Sequence, residues 1–257
     1  MIRLTYVLRR LPHLSRNDFQ SYWRNTHGPL VAKNAAAIRV RRYVQVHTIE
    51  DPLNELLRAS RGAMEAFDGV AELWWDDLET LTEVFAAPEG QRVAGLLHED
   101  EQKFIDMSRS SLWLARDNVI IEGAAGRIVA SPENDVVQLF FAAPMQANRT
   151  LHEAQRYWLE RHGPLARRHA KALGILRYVQ VHRIDDPANE MLRASRGSLE
   201  PMGGHAELWF DRRNMEQAVE TAEGQKGMMD LLEDEGRFVD LPRSALGLAK
   251  EHVIIEG

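Results

Sequence analysis

Alternation between apolar and polar side chains marks the clearest elements of this chain. In RYVQVH (residues 42–47), Val44 and Val46 fall on one face, and Tyr43, Gln45 and His47 on the other. In VAELWW (70–75), Ala71, Leu73 and Trp75 share a face, opposite Val70, Glu72 and Trp74. A period of two belongs to β-strands with two unlike faces, so strands are expected over 40–49 and 70–76. Residues 2–9 and 117–122 supply two more. Elsewhere the period is helical. Phe19, Trp23 and His27 recur four apart and form one stripe along a helix. Ser15, with Asp18 three places on, has the form of a helix start. Proline disfavours helix at the residue before it, so Pro29 predicts a break after about 27 and a second piece to about 38. A further helical stretch over 77–106 is interrupted near Pro88-Glu89-Gly90.

The same succession then repeats. An offset of 135 carries YWRNTHGPL (22–30) onto YWLERHGPL (157–165) and RYVQVH onto an identical copy at 177–182. It also carries DPLNELLRASRG (51–62) onto DPANEMLRASRG (186–197), and AELWWD (71–76) onto AELWFD (206–211). With one deletion, EDEQKFID (99–106) meets EDEGRFVD (233–240). Self-similarity of this extent defines a duplication. It divides the chain into repeats over 1–123 and 135–257, joined by a Gly-, Ala- and Pro-containing linker over 124–134. Each repeat reads as β-α-β-β-α-β, the split βαβ or ferredoxin-like order. One face of each sheet is left without helices, and packing sheet against sheet covers it. The expected class is therefore α+β, with the polar face of RYVQVH and the Glu72 face of VAELWW turned toward the interior.

Composition narrows the functional classes. The 257 residues are 44% hydrophobic and 27% charged, with net charge −6 and no cysteine. Thiol nucleophiles, thiolate metal sites and disulfides are excluded. No basic stripe points to nucleic acid, and no apolar run reaches the ~20 residues that span a bilayer. The N-terminus reads as a strand rather than a signal peptide, and a cytoplasmic location is expected. Gly-rich phosphate loops, nucleotide fingerprints, HExxH and G-x-S-x-G are all missing from the sequence.

The phrase YW…HGPL, the strand RYVQVH and the segment DGVAELWWD resemble the EthD family, across essentially both repeats. The resemblance implies the dimeric α+β barrel superfamily, here with both ferredoxin-like units in one chain. It also implies a broad set of activities: cofactor-free monooxygenases, polyketide cyclases, muconolactone isomerase, decarboxylases and other lyases, and some haem enzymes. Fold likeness does not choose among these.

Candidate chemistry follows from the polar positions. Facing the interior, Tyr43, His47 and Glu72 would meet Tyr178, His182 and Glu207, as an acid/base set or as a hydrogen-bonded seam. His27 and His162, with Tyr22 and Trp23, lie at the end of the first helix of each repeat. They could line a pocket between sheet and helices or only complete the core. Connection 48–69 is far longer than a hairpin turn, a length that is often functional. Its short helix starts at Asp51-Pro52 and ends at Gly62. Arg58 and Arg61, with counterparts Arg193 and Arg196, would clamp an anion or phenolate, or pair with Asp51, Glu55 or Glu65.

The repeats differ where Asp68 meets Gly203, Val70 meets His205 and Phe67 meets Met202. FDG keeps the family's usual aromatic-Asp-Gly and MGG departs from it, so the N-terminal pocket is expected to be the competent one. Trp23, Trp74, Trp75 and Tyr43 would line an apolar site for a small hydrophobic or aromatic substrate. The expected activity is a lyase or isomerase without cofactor or metal, acting by acid/base chemistry on a catabolic intermediate, for example by loss of a one-carbon unit from an aryl dimer. The alternatives are a cofactor-free monooxygenase or cyclase, a haem or metal enzyme using His27, His47 or His162, and a non-catalytic binding protein. Further homo-oligomerisation is compatible with the sequence.

Overall fold

A computed structural model describes residues 1–123 and 128–257. Part of the expected linker, 124–127, lies outside the described residues. The first half contains β1 (Ile2–Leu8), α1 (Arg16–Tyr22), α2 (Gly28–Asn34), β2 (Arg42–Thr48), α3 (Pro52–Arg61), β3 (Gly69–Trp75), α4 (Leu78–Ala86), α5 (Pro88–Glu101) and β4 (Ser111–Ile121). The second half contains β5 (Val136–Ala142), α6 (Leu151–Tyr157), α7 (Gly163–Leu173), β6 (Ile175–Arg183), α8 (Ala188–Arg196), β7 (Gly204–Asp211), α9 (Arg212–Glu220), α10 (Ala222–Glu235) and β8 (Ala245–Ile255).

The eight strands form one closed antiparallel barrel in the order β1-β3-β2-β8-β5-β7-β6-β4. Two of the ladders join the halves: β2 with β8, and β4 with β6. These seams remove the exposed edges that two separate sheets would have. Strand β4 starts at Ser111, earlier than the expected 117, because it pairs first with β1 and then with β6.

One core fills the barrel, and two others lie between the barrel wall and its helices. The barrel core holds Val44 and Val46 together with Val70 and Trp74. Tyr43 belongs instead to the helix-side core, with Phe19, Trp23 and Trp75. The expected orientation of VAELWW thus holds, but that of RYVQVH is reversed. Tyr43, Gln45 and His47, like Tyr178 and His182, face the helices. Alternation shows that two faces differ without showing which one is inside, and here Gln45 and His47 are buried on the helix side.

The cross-chain seams also swap covers. Leu53 and Leu57 of α3 pack on the helix-side core of the second half. Ala188 and Leu192 of α8 pack on that of the first. The long 48–69 connection is therefore a strap reaching over the other half.

The first helix does not break at Pro29. It continues from α1 through a π-turn, Trp23–His27, into α2. Proline lacks an N–H and its ring crowds the carbonyl one turn back, and a wider turn relieves that crowding. Gly28 takes αR geometry and donates its N–H to the Trp23 carbonyl, which also accepts from Gln45 Nε2 at 2.9 Å. A Cβ on Gly28 would sit 3.1 Å from that Nε2, which Gln45 cannot move because it also donates to the Tyr43 hydroxyl at 3.0 Å. The second half repeats the π-turn over Trp158–His162. Gly28→Ala should therefore destabilise the protein by about 1 kcal/mol or more, although Gly→Ala within a helix ordinarily stabilises it by a similar amount. Urea unfolding of the two proteins checks the sign.

Candidate active site

In each half a histidine at the end of the π-turn meets an aspartate of the last helix. His27 Nδ1 lies 2.9 Å from Asp100 Oδ2, and His162 Nδ1 lies 2.9 Å from Asp234 Oδ2. A carboxylate only accepts, so Nδ1–H donates and Nε2 is left as the basic atom of the neutral ring. Tyr22 and Tyr157 donate to the other oxygen of the same aspartates, at 2.7 and 2.6 Å. Burial opposes ionisation of Asp234, but the bonds from His162 and Tyr157 outweigh it and hold the carboxyl below its usual range.

Next to each histidine lies a second network. Trp158 Nε1 donates to the Tyr178 hydroxyl at 2.9 Å, and Gln180 Nε2 donates to the same oxygen at 3.2 Å. Both lone pairs are occupied, which leaves the phenolic O–H as a donor. Burial pushes its pKa up, so it stays protonated at neutral pH. His182 stacks on Trp158 at 4.9 Å and meets Gln180 Oε1 at 3.1 Å. The first half repeats this arrangement with Trp23, Tyr43, Gln45 and His47.

The halves differ in space, not in these groups. Between the β5–β7–β6 wall and the π-turn, α7, α9 and α10 lies an apolar cavity of about 550 Å³, lined in part by His162, Trp158 and Tyr178. The equivalent space in the first half, with His27, Trp23 and Tyr43, is about 60 Å³. Larger side chains fill it: Tyr6 stands where the second half has Phe141, Leu8 where it has Ala143, Val31 where it has Ala166 and Trp75 where it has Phe210. The first-half pocket, expected to be the competent one, holds little room, and the larger volume is in the second half.

Strap α3 closes this cavity with Leu53, Leu56, Leu57 and Arg61. Arg61 Nε and Nη2 donate to Glu235 Oε2 and Oε1 at 2.8 and 3.0 Å. Its guanidinium also lies over the Phe141 ring, 5.4 Å from the centroid. Arg196 and Glu101 form the matching pair in the first half. Arg58 and Arg193 pair within their own helices, with Glu55 and Glu190. Neither forms an open anion clamp.

Asp68 lies away from both cavities. It accepts from the Arg10 backbone and side chain and faces Arg16 at 3.4 Å. In the second half Met145 replaces Arg10 and Gly203 replaces Asp68, and a Cβ at 203 would lie 2.3 Å from Met145 Cγ. An ion pair in one half is thus exchanged for an apolar contact in the other, which accounts for the unmatched carboxylate.

Inside the barrel, Glu72, His205 and Glu207 come within metal-ligating distance of one another, the set of this kind among the described residues. Arg3 already fills the place a cation would take. Its Nη2 is 2.7 Å from Glu207 Oε1 and 3.1 Å from His205 Nε2, and its Nε is 3.0 Å from Asp117. Burial and the neighbouring Glu207 push Glu72 well up, so it is the carboxyl that holds a proton. Burial opposes ionisation of Glu207, but Arg3 and His205 hold its pKa below the usual range. Trp74 also belongs to this interior, under the guanidinium groups of Arg3 and Arg42. Sequence reasoning missed Arg3, Asp234 and Glu235. The last two stood in the repeated EDE segment, where acidic residues kept in both copies of a buried helix were the available signal.

The overall fold is shared with a solved structure. The structure of a candidate monooxygenase from Fusobacterium nucleatum aligns over 100% of this chain and 94% of its own, with a TM-score of 0.52 and 6% identity. One from Lactobacillus acidophilus covers 100% and 96%, with a TM-score of 0.46 and 9% identity. An ethyl tert-butyl ether D family protein of Bacillus halodurans is 22% identical over 45% of this chain and 97% of that one, with a TM-score of 0.32. The EthD domain matches residues 11–108 and 147–242, and the chain belongs to that family, with two copies of the domain in tandem. No curated protein matches it.

Two stability experiments follow. Arg10→Met and Asp68→Gly should each destabilise the protein, and the double variant, which recreates the second half's pair, should recover part of the loss. A coupling of about 1–3 kcal/mol in a double-mutant cycle is expected, and strict additivity would contradict the exchange. Second, burial lowers His47 to about 2, and His182 and His205 to about 4. These rings stay neutral in the fold while an unfolded chain protonates near ~6.5. Protons then favour the unfolded state, so stability falls as pH drops from about 6.5 toward 4. Thermal midpoints at pH 7.5 and 5 measure this.

Proposed function

We propose that this protein is an enzyme of the lyase or isomerase type that acts on a small, largely hydrophobic substrate by general acid/base chemistry, with one working site in the second half. The carrying observation is that His162, held by Asp234, and Tyr178 both line the 550 Å³ apolar cavity. Asp234 fixes the ring so that Nε2 is the base. Nε2 takes a proton from a carbon next to a carbonyl, the electron pair moves onto the carbonyl oxygen, and the Tyr178 O–H donates a hydrogen bond to it. Return of the proton to another carbon gives isomerisation. With a β-hydroxy carbonyl substrate Nε2 instead takes the hydroxyl proton, the C–C bond breaks to release a one-carbon carbonyl, the bond's electron pair forms the enolate that Tyr178 holds, and the imidazolium returns the proton to its carbon. This chemistry needs no cofactor. Each half reads as one ferredoxin-like unit, supported by the strand order β4-β1-β3-β2 recurring as β8-β5-β7-β6.

Exchange of the acidic hydrogens of hydrophobic aryl ketones in deuterated buffer, followed by proton NMR, tests the reading. The wild type should accelerate exchange. His162→Gln should reduce that acceleration by roughly 10²- to 10⁴-fold, while His27→Gln, in the filled half, should leave it intact. Equal losses in the two variants would sink the assignment to one half.

A further inference from the structure

The charges around the large cavity are internally cancelled. Arg61 and Glu235 are its charged lining pair, and they bind one another through two hydrogen bonds at 2.8 and 3.0 Å. Their side chains are only 12% and 8% exposed. The rest of the wall is overwhelmingly aliphatic and aromatic, with Ser60, Gln225, His162 and Tyr178 as the other polar or titratable groups. His162 already donates to Asp234, and the Tyr178 O–H is available to an acceptor oxygen.

From this arrangement we infer that the site selects an uncharged hydrophobic molecule with one carbonyl or hydroxyl oxygen, and discriminates against carboxylates and ammonium ions of the same shape. The inference rests on the second-half cavity as the working site, and names its substrate class. An anion could bind Arg61 only by taking it from Glu235, which would leave a buried carboxylate unpaired beside a second negative charge. A cation would strand Arg61 in the same way. Breaking a buried pair carries a heavy penalty, equivalent to roughly 30-fold or more in affinity. A neutral ligand leaves the pair intact and gains the apolar wall. Entry is also apolar, since Leu56, Val219 and Met229 belong to the cavity lining and are 61%, 38% and 65% exposed. These residues lie on α3, α9 and α10, so strap and outer helices together form a hydrophobic mouth.

The test uses three probes with one aromatic body: 2-acetonaphthone, 2-naphthoate and 2-naphthylmethylammonium, titrated into the full chain at pH 7.5 by calorimetry. The ketone should bind one per chain and at least about 30-fold more tightly than either ion. Glu235→Gln frees Arg61, and naphthoate should then gain at least about tenfold while the ketone changes little. The paired replacement Arg61→Met with Glu235→Met keeps the cavity uncharged and should still prefer the ketone, so a folding defect in the single variant does not rescue the idea. Naphthoate binding to wild type as tightly as the ketone, no shift in preference on Glu235→Gln, or no binding of the ketone at all would each overturn it. Selective ketone binding without deuterium exchange would keep the inference and reject the proposed catalysis, so the two fail separately.

Discussion

Barrel closure is the constraint on which the rest of this molecule depends. Two four-stranded sheets, each helical on one side only, bury their remaining faces against each other and join edge to edge at β2–β8 and β4–β6. Closure removes unpaired edges and fixes which side of every strand meets helices. It also brings the last strand of each half beside the second strand of the other, so α3 and α8, which follow those second strands, lie over the opposite half's helix-side core. Neither cavity is built by one repeat alone. The Arg61–Glu235 and Arg196–Glu101 pairs are contacts between repeats at the two cavity edges.

Duplicated chemistry is combined here with unequal packing. The π-turn, the His–Asp pair, the Tyr–Trp–Gln–His network and the strap arginine occur in both halves with nearly the same distances. These groups satisfy buried polar atoms whichever half holds them, as the interior requires. The volume around them is set by a scatter of side-chain sizes. Trp75, Tyr6, Leu8 and Val31 close one space, and Phe210, Phe141, Ala143 and Ala166 leave the other open. Polar groups can thus persist for structural reasons where packing leaves little room beside them.

Much of the architecture was legible in the sequence because it depends on local pattern. The duplication, strands β1, β2 and β3 and the caps at Ser15, Asp51 and Gly62 appear where the pattern put them. Three features were not legible. The direction of the Tyr43–Gln45–His47 face depends on which of two buried surfaces receives a polar set, and the set pairs with the π-turn carbonyl. The continuity through Pro29 depends on a turn geometry that propensity does not encode. The open cavity depends on differences of a few atoms spread over residues far apart in sequence. Asp68 misled for a related reason: its asymmetry is matched by Arg10, whose partnership only the folded register reveals.

Arg3 gives the fused chain a meaning of its own. Near the barrel's pseudo-twofold axis Glu72 and Glu207 face each other, yet one arginine serves both, since the position matching Arg3 is Gln138. In a barrel made of two identical subunits, whatever stands on one side of such an axis must stand on the other. Two copies of the second half would bury two glutamates and two histidines with no arginine between them. Two copies of the first would bring an arginine for each glutamate. The halves are therefore no longer interchangeable. The first carries the arginine that answers the second half's Glu207, and the peptide link guarantees that every second half is born beside the partner that neutralises it.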